Sequence, residues 1–341
     1  MMTIRRFRKT DDEYRAVLDI SNTLWPDEKE GLAEFKYEDA SRDPKYTHAR
    51  FVGEVDGKIV ASGVYGHCTW SHVPGKYLVL VEVHPDHQNR GHGKQFYDFL
   101  MGELAKGDAD TLITWTRDDK PDYVRFLTKR GYEFAMRYAV SRLDVEALDL
   151  SEFDWTPGKM KELGVEIQCL TEFAEIDPEW KRSWYDLGWE LFRDVPFVDE
   201  PTRPTFEIWC KRFDSPGYRM NMHWFARDGD RLVGYTGLWL SEADPAKIYT
   251  GLTGVVRSHR RKGIATALKV HGFSRAKEHG AKFIETDNEE KNPMFELNMR
   301  LGFKPTPAWT EYRRPFDGAA EVAGKADADS SPRVVSASEG A

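Results

Sequence analysis

Gln88-Asn89-Arg90-Gly91-His92-Gly93 follows the apolar run Tyr77-Leu78-Val79-Leu80-Val81-Glu82-Val83 and leads into a helical stretch, Gly93 to Leu104. A strand that ends in a basic, glycine-containing turn and then starts a helix makes an anion site. The first amides of the helix have no partner, and the macrodipole adds about half a positive charge there. Glycine lets the backbone approach an anion without a Cβ in the way. The same arrangement returns as Arg260-Arg261-Lys262-Gly263-Ile264-Ala265, after the strand Tyr249 to Val256 and before a helix from Ala265 to His279. Neither loop has the Gly-Lys-Ser/Thr ending of a nucleoside triphosphate loop, and the glycines are too few for a dinucleotide fingerprint.

The recurrence extends outward from the loops. Gly91 and Gly263 are 172 residues apart, as are the hairpin turns that begin at Asp56-Gly57 and Asp228-Gly229. The pairs Gly131-Tyr132 and Gly302-Phe303 are 171 apart. Three separate signals at one spacing make the chain a tandem of two similar halves. Each half reads as a short strand (Thr3 to Phe7; Val165 to Cys169), amphipathic helices, a hairpin, the apolar strand and its loop and helix. A further strand (Thr111 to Thr116; Lys282 to Thr286) and a short helix then lead to the Gly-aromatic pair. That order is mixed α/β, of α+β character. The expected boundaries are 1–150 and 165–316 for the two domains, with a linker at 151–164 in which Pro157-Gly158 marks a turn. Residues 317–341 are Ala, Ser, Gly and Asp with few large side chains, a composition that predicts a disordered tail.

Composition narrows the function. With 49 basic and 57 acidic residues the 341-residue chain carries −8, which argues against a general nucleic-acid binder. No apolar run approaches the roughly 18 residues that span a bilayer, and the charged N-terminus does not read as a secretory signal. Cys68, Cys169 and Cys210 fit neither a disulfide framework nor paired zinc spacing. His84 and His87 bracket Pro85, so they share no helical face as metal ligands would. The expectation is a cytoplasmic protein with reduced thiols, no metal and a small-molecule partner; the oligomeric state is left open.

Gln88-x-x-Gly91-x-Gly93 and Arg260-x-x-Gly263-x-Ala265, with their closing Gly-aromatic pairs, resemble the coenzyme A pyrophosphate loop and C-terminal signature of the GNAT acetyltransferases. The resemblance covers residues 1–316 as two copies and extends to tandem, mycothiol synthase-like members, in which one half is catalytic. It implies two GNAT domains, each a central mixed, mostly antiparallel sheet flanked by helices. It also implies acetyl-CoA as cosubstrate and direct acetyl transfer to a primary amine. Cofactor contacts are then expected from Val83, Gln88, Arg90, Gly91, His92, Gly93 and Lys94 in the first half. In the second half they are expected from Val255, Val256, Arg260, Arg261, Lys262, Gly263, Ile264, Ala265 and Thr266. An oxyanion donor maps to the amide of Val83 or His84, and to that of Val255 or Val256.

The catalytic candidates follow from what the chemistry requires. Deprotonating an amine of pKa near 10.4 at pH 7 costs roughly 4.6 kcal/mol, so a base is needed. Glu82, beside Val83, is the carboxylate for it; Gly254 stands in the matching place of the second half. The family's tyrosine acid falls on Leu127 and Asn298, of which only Asn298 can donate. Tyr77 and Tyr249 open the two apolar strands and could line an acceptor cleft. Asn288 and Asn292 hydrogen-bond the pantetheine arm or the acceptor, or Asn292 simply caps the helix; Trp180, Trp184, Trp189, Trp209 and Trp224 form either an aromatic cleft or core. The arginine-rich loop and the asparagine pair favour the second half as catalytic, with Glu82, Asn298 and Tyr249 as catalytic candidates. Two other readings stay open: a non-catalytic acyl-CoA-binding sensor, motivated by the missing tyrosines, and a protein-lysine acetyltransferase.

Overall fold

The computed structural model describes residues 2–319, so the tail beyond 319 lies outside the described residues. The first half runs β1 (Thr3–Arg6), α1 (Asp11–Leu24), α2 (Leu32–Ser41), β2 (His48–Val55), β3 (Lys58–Gly66), β4 (Lys76–Val83), α3 (His92–Leu104), β5 (Thr111–Arg117), α4 (Pro121–Thr128) and β6 (Glu133–Asp144). After α5 (Trp155–Leu163) the second half follows the same plan. It runs β7 (Val165–Cys169), α6 (Leu170–Ile176), α7 (Trp180–Phe192), α8 (Phe206–Cys210), β8 (His223–Asp228), β9 (Arg231–Leu240), β10 (Lys247–Val255), α9 (Ile264–His279), β11 (Phe283–Glu289), α10 (Pro293–Arg300), β12 (Lys304–Pro305) and β13 (Trp309–Pro315).

Local chemistry sets these boundaries. Thr10 caps α1, accepting from the Glu13 amide, and three acidic residues fill the first turn against the helix dipole. Asp56 and Gly57 both take positive φ (51° and 75°), the backbone a two-residue hairpin needs between β2 and β3. Pro157-Gly158 is corrected by the structure: the pair lies in the first turn of α5, where the missing proline N–H costs nothing. The helix stops at Gly164, in left-handed conformation with φ 67°.

The two halves do not keep separate sheets. All strands join one mixed, mostly antiparallel 13-stranded sheet whose main path is β1-β2-β3-β4-β5-β13-β6-β11-β10-β9-β8-β7, with β12 also on β6. The final strands are exchanged. The second half's β13 lies along the first half's β5 from Trp309↔Arg117 to Pro315↔Thr111. The first half's β6 lies along β11 from Phe283↔Asp144 to Glu289↔Tyr138. The cores follow the strands: Tyr312 and Phe316 pack in the first half's core, and Leu143, Val145 and Leu148 in the second's.

Buried lysines lock the exchange reciprocally. Lys76, at the start of β4, bonds Ser71 and the carboxylate of Asp199, which belongs to the other half. Lys247, at the start of β10, sits 2.6 Å from Glu285 and donates to the Asp27 carbonyl of the first half at 2.7 Å. Glu242 of the second half caps α2, accepting from the Glu34 amide at 2.7 Å. Lys247→Met would leave the buried Glu285 with Arg142 alone. A loss of about 3 kcal/mol is expected, the low end for breaking a buried pair. Urea denaturation checks it, and fluorescence and circular dichroism should report one shared transition.

Candidate active site

The parallel strands β4 and β5 pair over only three residues, Lys76-Tyr77-Leu78 against Thr111-Leu112-Ile113, and then splay. The second half repeats this, with Lys247-Ile248-Tyr249 against Phe283-Ile284-Glu285. Each splay opens toward its glycine loop, and the two merge into one cleft of about 1870 Å³ lined by both halves.

The loops have one backbone. Asn89 and Arg261 are left-handed at φ 59° and 60°, and Gly91 and Gly263 at 83° and 85°. Alternation of left- and right-handed residues turns successive N–H groups to one side, a nest for an anion. The amides of residues 89–94 and 261–266 donate to no carbonyl or side chain among the described residues, while Gln95 and Ala267 make the first helical bonds. Gln88 and Arg260 act as clips: Gln88 Nε2 donates to the Val83 carbonyl and Arg260 Nε to that of Val255, each at 2.9 Å.

At the strand ends, the His84 amide donates to Val60 and the Val256 amide to Val233. Those donors are spent, which corrects the alternatives His84 and Val256; Val256 is moreover buried. Antiparallel alternation then turns the amides of Val83 and Val255 away from β3 and β9, into the splays.

The two sites differ sharply in side chains. In the first loop a Cβ on Gly91 would meet nothing within 4 Å. In the second, a Cβ on Gly263 would come within 2.9 Å of the Trp155 indole, which α5 lays across the loop. Asp194 also pairs with Arg257 and Arg260 there, and the two guanidiniums hold its carboxyl below the usual range. Of the three basic residues that favour this loop as an anion site, Arg260 is therefore committed to a protein carboxylate.

Glu82 lies on β4, opposite Ser62, and accepts from Trp25 Nε1 at 2.9 Å and Ser21 Oγ at 3.5 Å. Burial pushes its carboxyl above the usual range, against the pull of Trp25 and Arg50. Behind it, beneath α1 and α2, is a second cavity of about 240 Å³, and Glu82, Leu80 and Trp70 line both spaces. In the second half Gly254 stands in the place of Glu82. A Cβ on Gly254 would be 3.2 Å from Leu191, and Trp184, Trp209 and Trp224 are buried core. Trp184 packs 5.1 Å from both His223 and Tyr235.

Several expected residues lie elsewhere. Tyr249 sits in the paired base of the β10–β11 splay under Lys247, outside the cleft lining. Tyr77 likewise lies at the closed end and donates to Asp108 at 2.7 Å. Asn298 is fully buried, and its amide donates to Asn288 at 2.7 Å, so it offers no donor to the cleft. Asn292 lines the cleft but caps α10, accepting from the Met294 amide at 3.0 Å. Asn288, Ile264, Ala265, Thr266 and Gly93 line it as well. Lys94 lines it while pairing with Asp98; Arg90, His92 and Lys262 stand outside the lining.

Tyr123 was missed. It lies one helical turn before Leu127 on α4, lines the cleft, and its hydroxyl accepts from Gln88 Nε2 at 3.0 Å. The i, i+4 relation to Leu127 was the available signal.

Fold and site together define an acetyltransferase built twice in one chain. The sequence matches the acetyltransferase (GNAT) family over residues 14–132 and again over 181–303, and the chain belongs to that family; it is an acyltransferase. It is 23% identical over 274 residues to the mycothiol acetyltransferase of Parafrankia sp. (strain EAN1pec), covering 75% of this chain and 82% of that one. It is 21% identical to the Amycolatopsis mediterranei (strain U-32) mycothiol acetyltransferase, covering 76% and 82%. Its fold is similar to that of a tandem GNAT protein from the clavulanic acid biosynthesis pathway (TM-score 0.73, 18% identity, 92% of this chain and 98% of that one). Among the described residues no helix is long and apolar enough to cross a membrane.

The clip is open to test. Gln88→Ala removes the bonds to Val83 and Tyr123, and at about 1 kcal/mol for a hydrogen bond the Gln95 amide, which donates to the Gly91 carbonyl of the loop, should exchange hydrogen about 5-fold faster.

Proposed function

We propose that the protein is an N-acetyltransferase that uses acetyl-CoA as cosubstrate and a small primary amine as acceptor, with the first half as its catalytic half. The carrying observation is Glu82, a carboxylate of raised pKa at the opening between the cofactor cleft and a separate cavity. The free amides of residues 89–94 and the uncovered Gly91 suit a diphosphate, and the splay leaves the Val83 amide for an acyl chain or a developing oxyanion. The relatives named mycothiol acetyltransferase support a small-molecule acceptor.

In this reading Glu82 takes the proton of the acceptor's ammonium group. The neutral nitrogen bonds the acetyl carbon as the carbon–sulfur bond breaks, and the Tyr123 hydroxyl protonates the departing thiolate. The nitrogen's second proton leaves to solvent, from which Tyr123 is reprotonated. Tyr123 replaces the acid that Leu127 cannot supply. The second half, with Trp155 over Gly263, Asp194 on its arginines and no base at Gly254, acts as a structural partner. This reverses the expectation drawn from its arginine-rich loop.

Calorimetric titration should give one acetyl-CoA per chain. Gly91→Val, which adds a branched side chain at positive φ, should weaken binding at least about 10-fold by straining the nest. Gly263→Val should leave binding in place. Two sites per chain, or binding lost only with Gly263, would overturn the assignment.

Glu82→Gln should lower kcat about 10²–10⁴-fold in thiol-release assays. In the unmodified enzyme kcat/KM should fall as pH drops through the Glu82 pKa, because the protonated carboxyl cannot accept a proton. Burial places that acidic limb above the ordinary glutamate value of about 4.3, and the Gln variant should lack it. Acetyl-CoA binding without amine-dependent thiol release, across a broad amine panel, would favour a sensor instead.

A further inference from the structure

The cavity behind Glu82 contains buried polar atoms that no group among the described residues answers with a hydrogen bond. Strand register puts its walls in order. Arg50 on β2 aligns with Val64 on β3 and Leu80 on β4, and Glu82 aligns with Ser62, one alternation further along the same face. Two strand spacings and two residues separate Arg50 from Glu82, about 12 Å between Cα atoms. Glu30 and Glu38 approach from the α1–α2 side and complete the lining.

Two polar atoms there are buried without a hydrogen-bond partner: Glu30 Oε1 and Arg50 Nε. Neighbouring charges do not resolve this. Arg42 is committed to Asp39 at 3.4 Å. Burial holds His48 down at about 3, so it contributes no positive charge near neutral pH. Among the described residues Arg50 has no carboxylate at ion-pair distance; its guanidinium lies 4.6 Å over the Phe35 ring. Burial pushes Glu30 up to about 8, with Glu38 and Glu34 adding to it, and raises Glu38 as well. Unpartnered buried polar atoms on a cation and a carboxyl in one cavity cost free energy unless a ligand answers both.

We propose that this cavity is the acceptor pocket and that the acceptor is a small zwitterion, an amino acid or close analogue, with its amine toward Glu82 and Glu30 and its carboxylate on Arg50. A lone amine would leave Arg50 unanswered, and a diamine would set a second positive charge against it. A planar guanidinium stacked on an aromatic ring is well suited to hold a carboxylate through two parallel bonds. The volume of about 240 Å³ equals that of roughly eight waters at about 30 Å³ each, room for a small amino acid but not for a peptide chain.

This inference rests on the first half being catalytic, and the experiment separates the two. Thiol release is measured with acetyl-CoA and a panel of small amino acids, their methyl esters, and the matching amines without carboxylate. Free amino acids should be preferred over their esters about 30-fold in kcat/KM, as expected when one charged hydrogen-bonded contact is lost. In Arg50→Met that ratio should fall toward 1, and Arg50→Lys should restore part of it. Thermal melts of both variants establish that they fold. Turnover of esters or simple amines equal to that of the amino acids, or a ratio unchanged in Arg50→Met, overturns the zwitterion assignment while leaving the catalytic half standing. Release undiminished in Glu82→Gln, with any acceptor, overturns both.

Discussion

The antiparallel contact between β6 and β13 at the middle of the sheet is the constraint on which the rest depends. Each of these strands ends one half of the chain, and each supplies the neighbour that the other half's parallel strand requires. Without β13, β5 would present a bare edge at the place where the first splay opens; without β6, β11 would do the same. A sheet edge is a liability in water, and here each half covers the other's. The buried lysines at the starts of β4 and β10 reinforce the arrangement by holding loops from the opposite half. Neither half can therefore be regarded as an independent module joined by a tether.

Duplication has preserved backbone and released side chains. The left-handed residues, clipped carbonyls and three-residue parallel pairings recur at nearly constant spacing, because turn geometry and sheet splay are set locally by glycine and by register. What fills the resulting spaces is not so constrained. Helix α5 carries Trp155 onto one loop, Asp194 pairs with its Arg260, and Leu191 closes on Gly254, whereas Gly91 in the first half stays uncovered. Two copies of one scaffold thus arrive at an accessible anion nest and a covered one.

The same division explains what could be read in the sequence. The tandem, the strand–loop–helix units and the anion-binding loops were legible because their signals are local: glycine positions, apolar runs, capping residues. Glu82 was legible because it adjoins the strand end. The strand exchange was not, since β6 and β13 carry no mark of which neighbour they choose. The role of Arg260 was misread because its partner Asp194 lies 66 residues away. Asn298 looked like a donor in a cleft because nothing local shows that Asn288 takes its amide. Arg50, in the middle of an ordinary-looking strand, acquires meaning only when β2, β3 and β4 are aligned and the α1–α2 face closes over it.

A chain of contacts ties the second half to Glu82 all the same. Trp309, the first residue of β13, bonds Glu28 at 2.9 Å and packs its ring 4.8 Å from Trp25. Trp25 in turn donates to Glu82. The indole that fixes the carboxylate of the first half is therefore propped by a residue from the last strand of the second. Its N–H stabilises the ionised form of Glu82 and so opposes the upward push of burial. The position and basicity of Glu82 are consequently set partly by the exchanged strand. A half whose own loop carries Trp155 across it still builds one wall around Glu82.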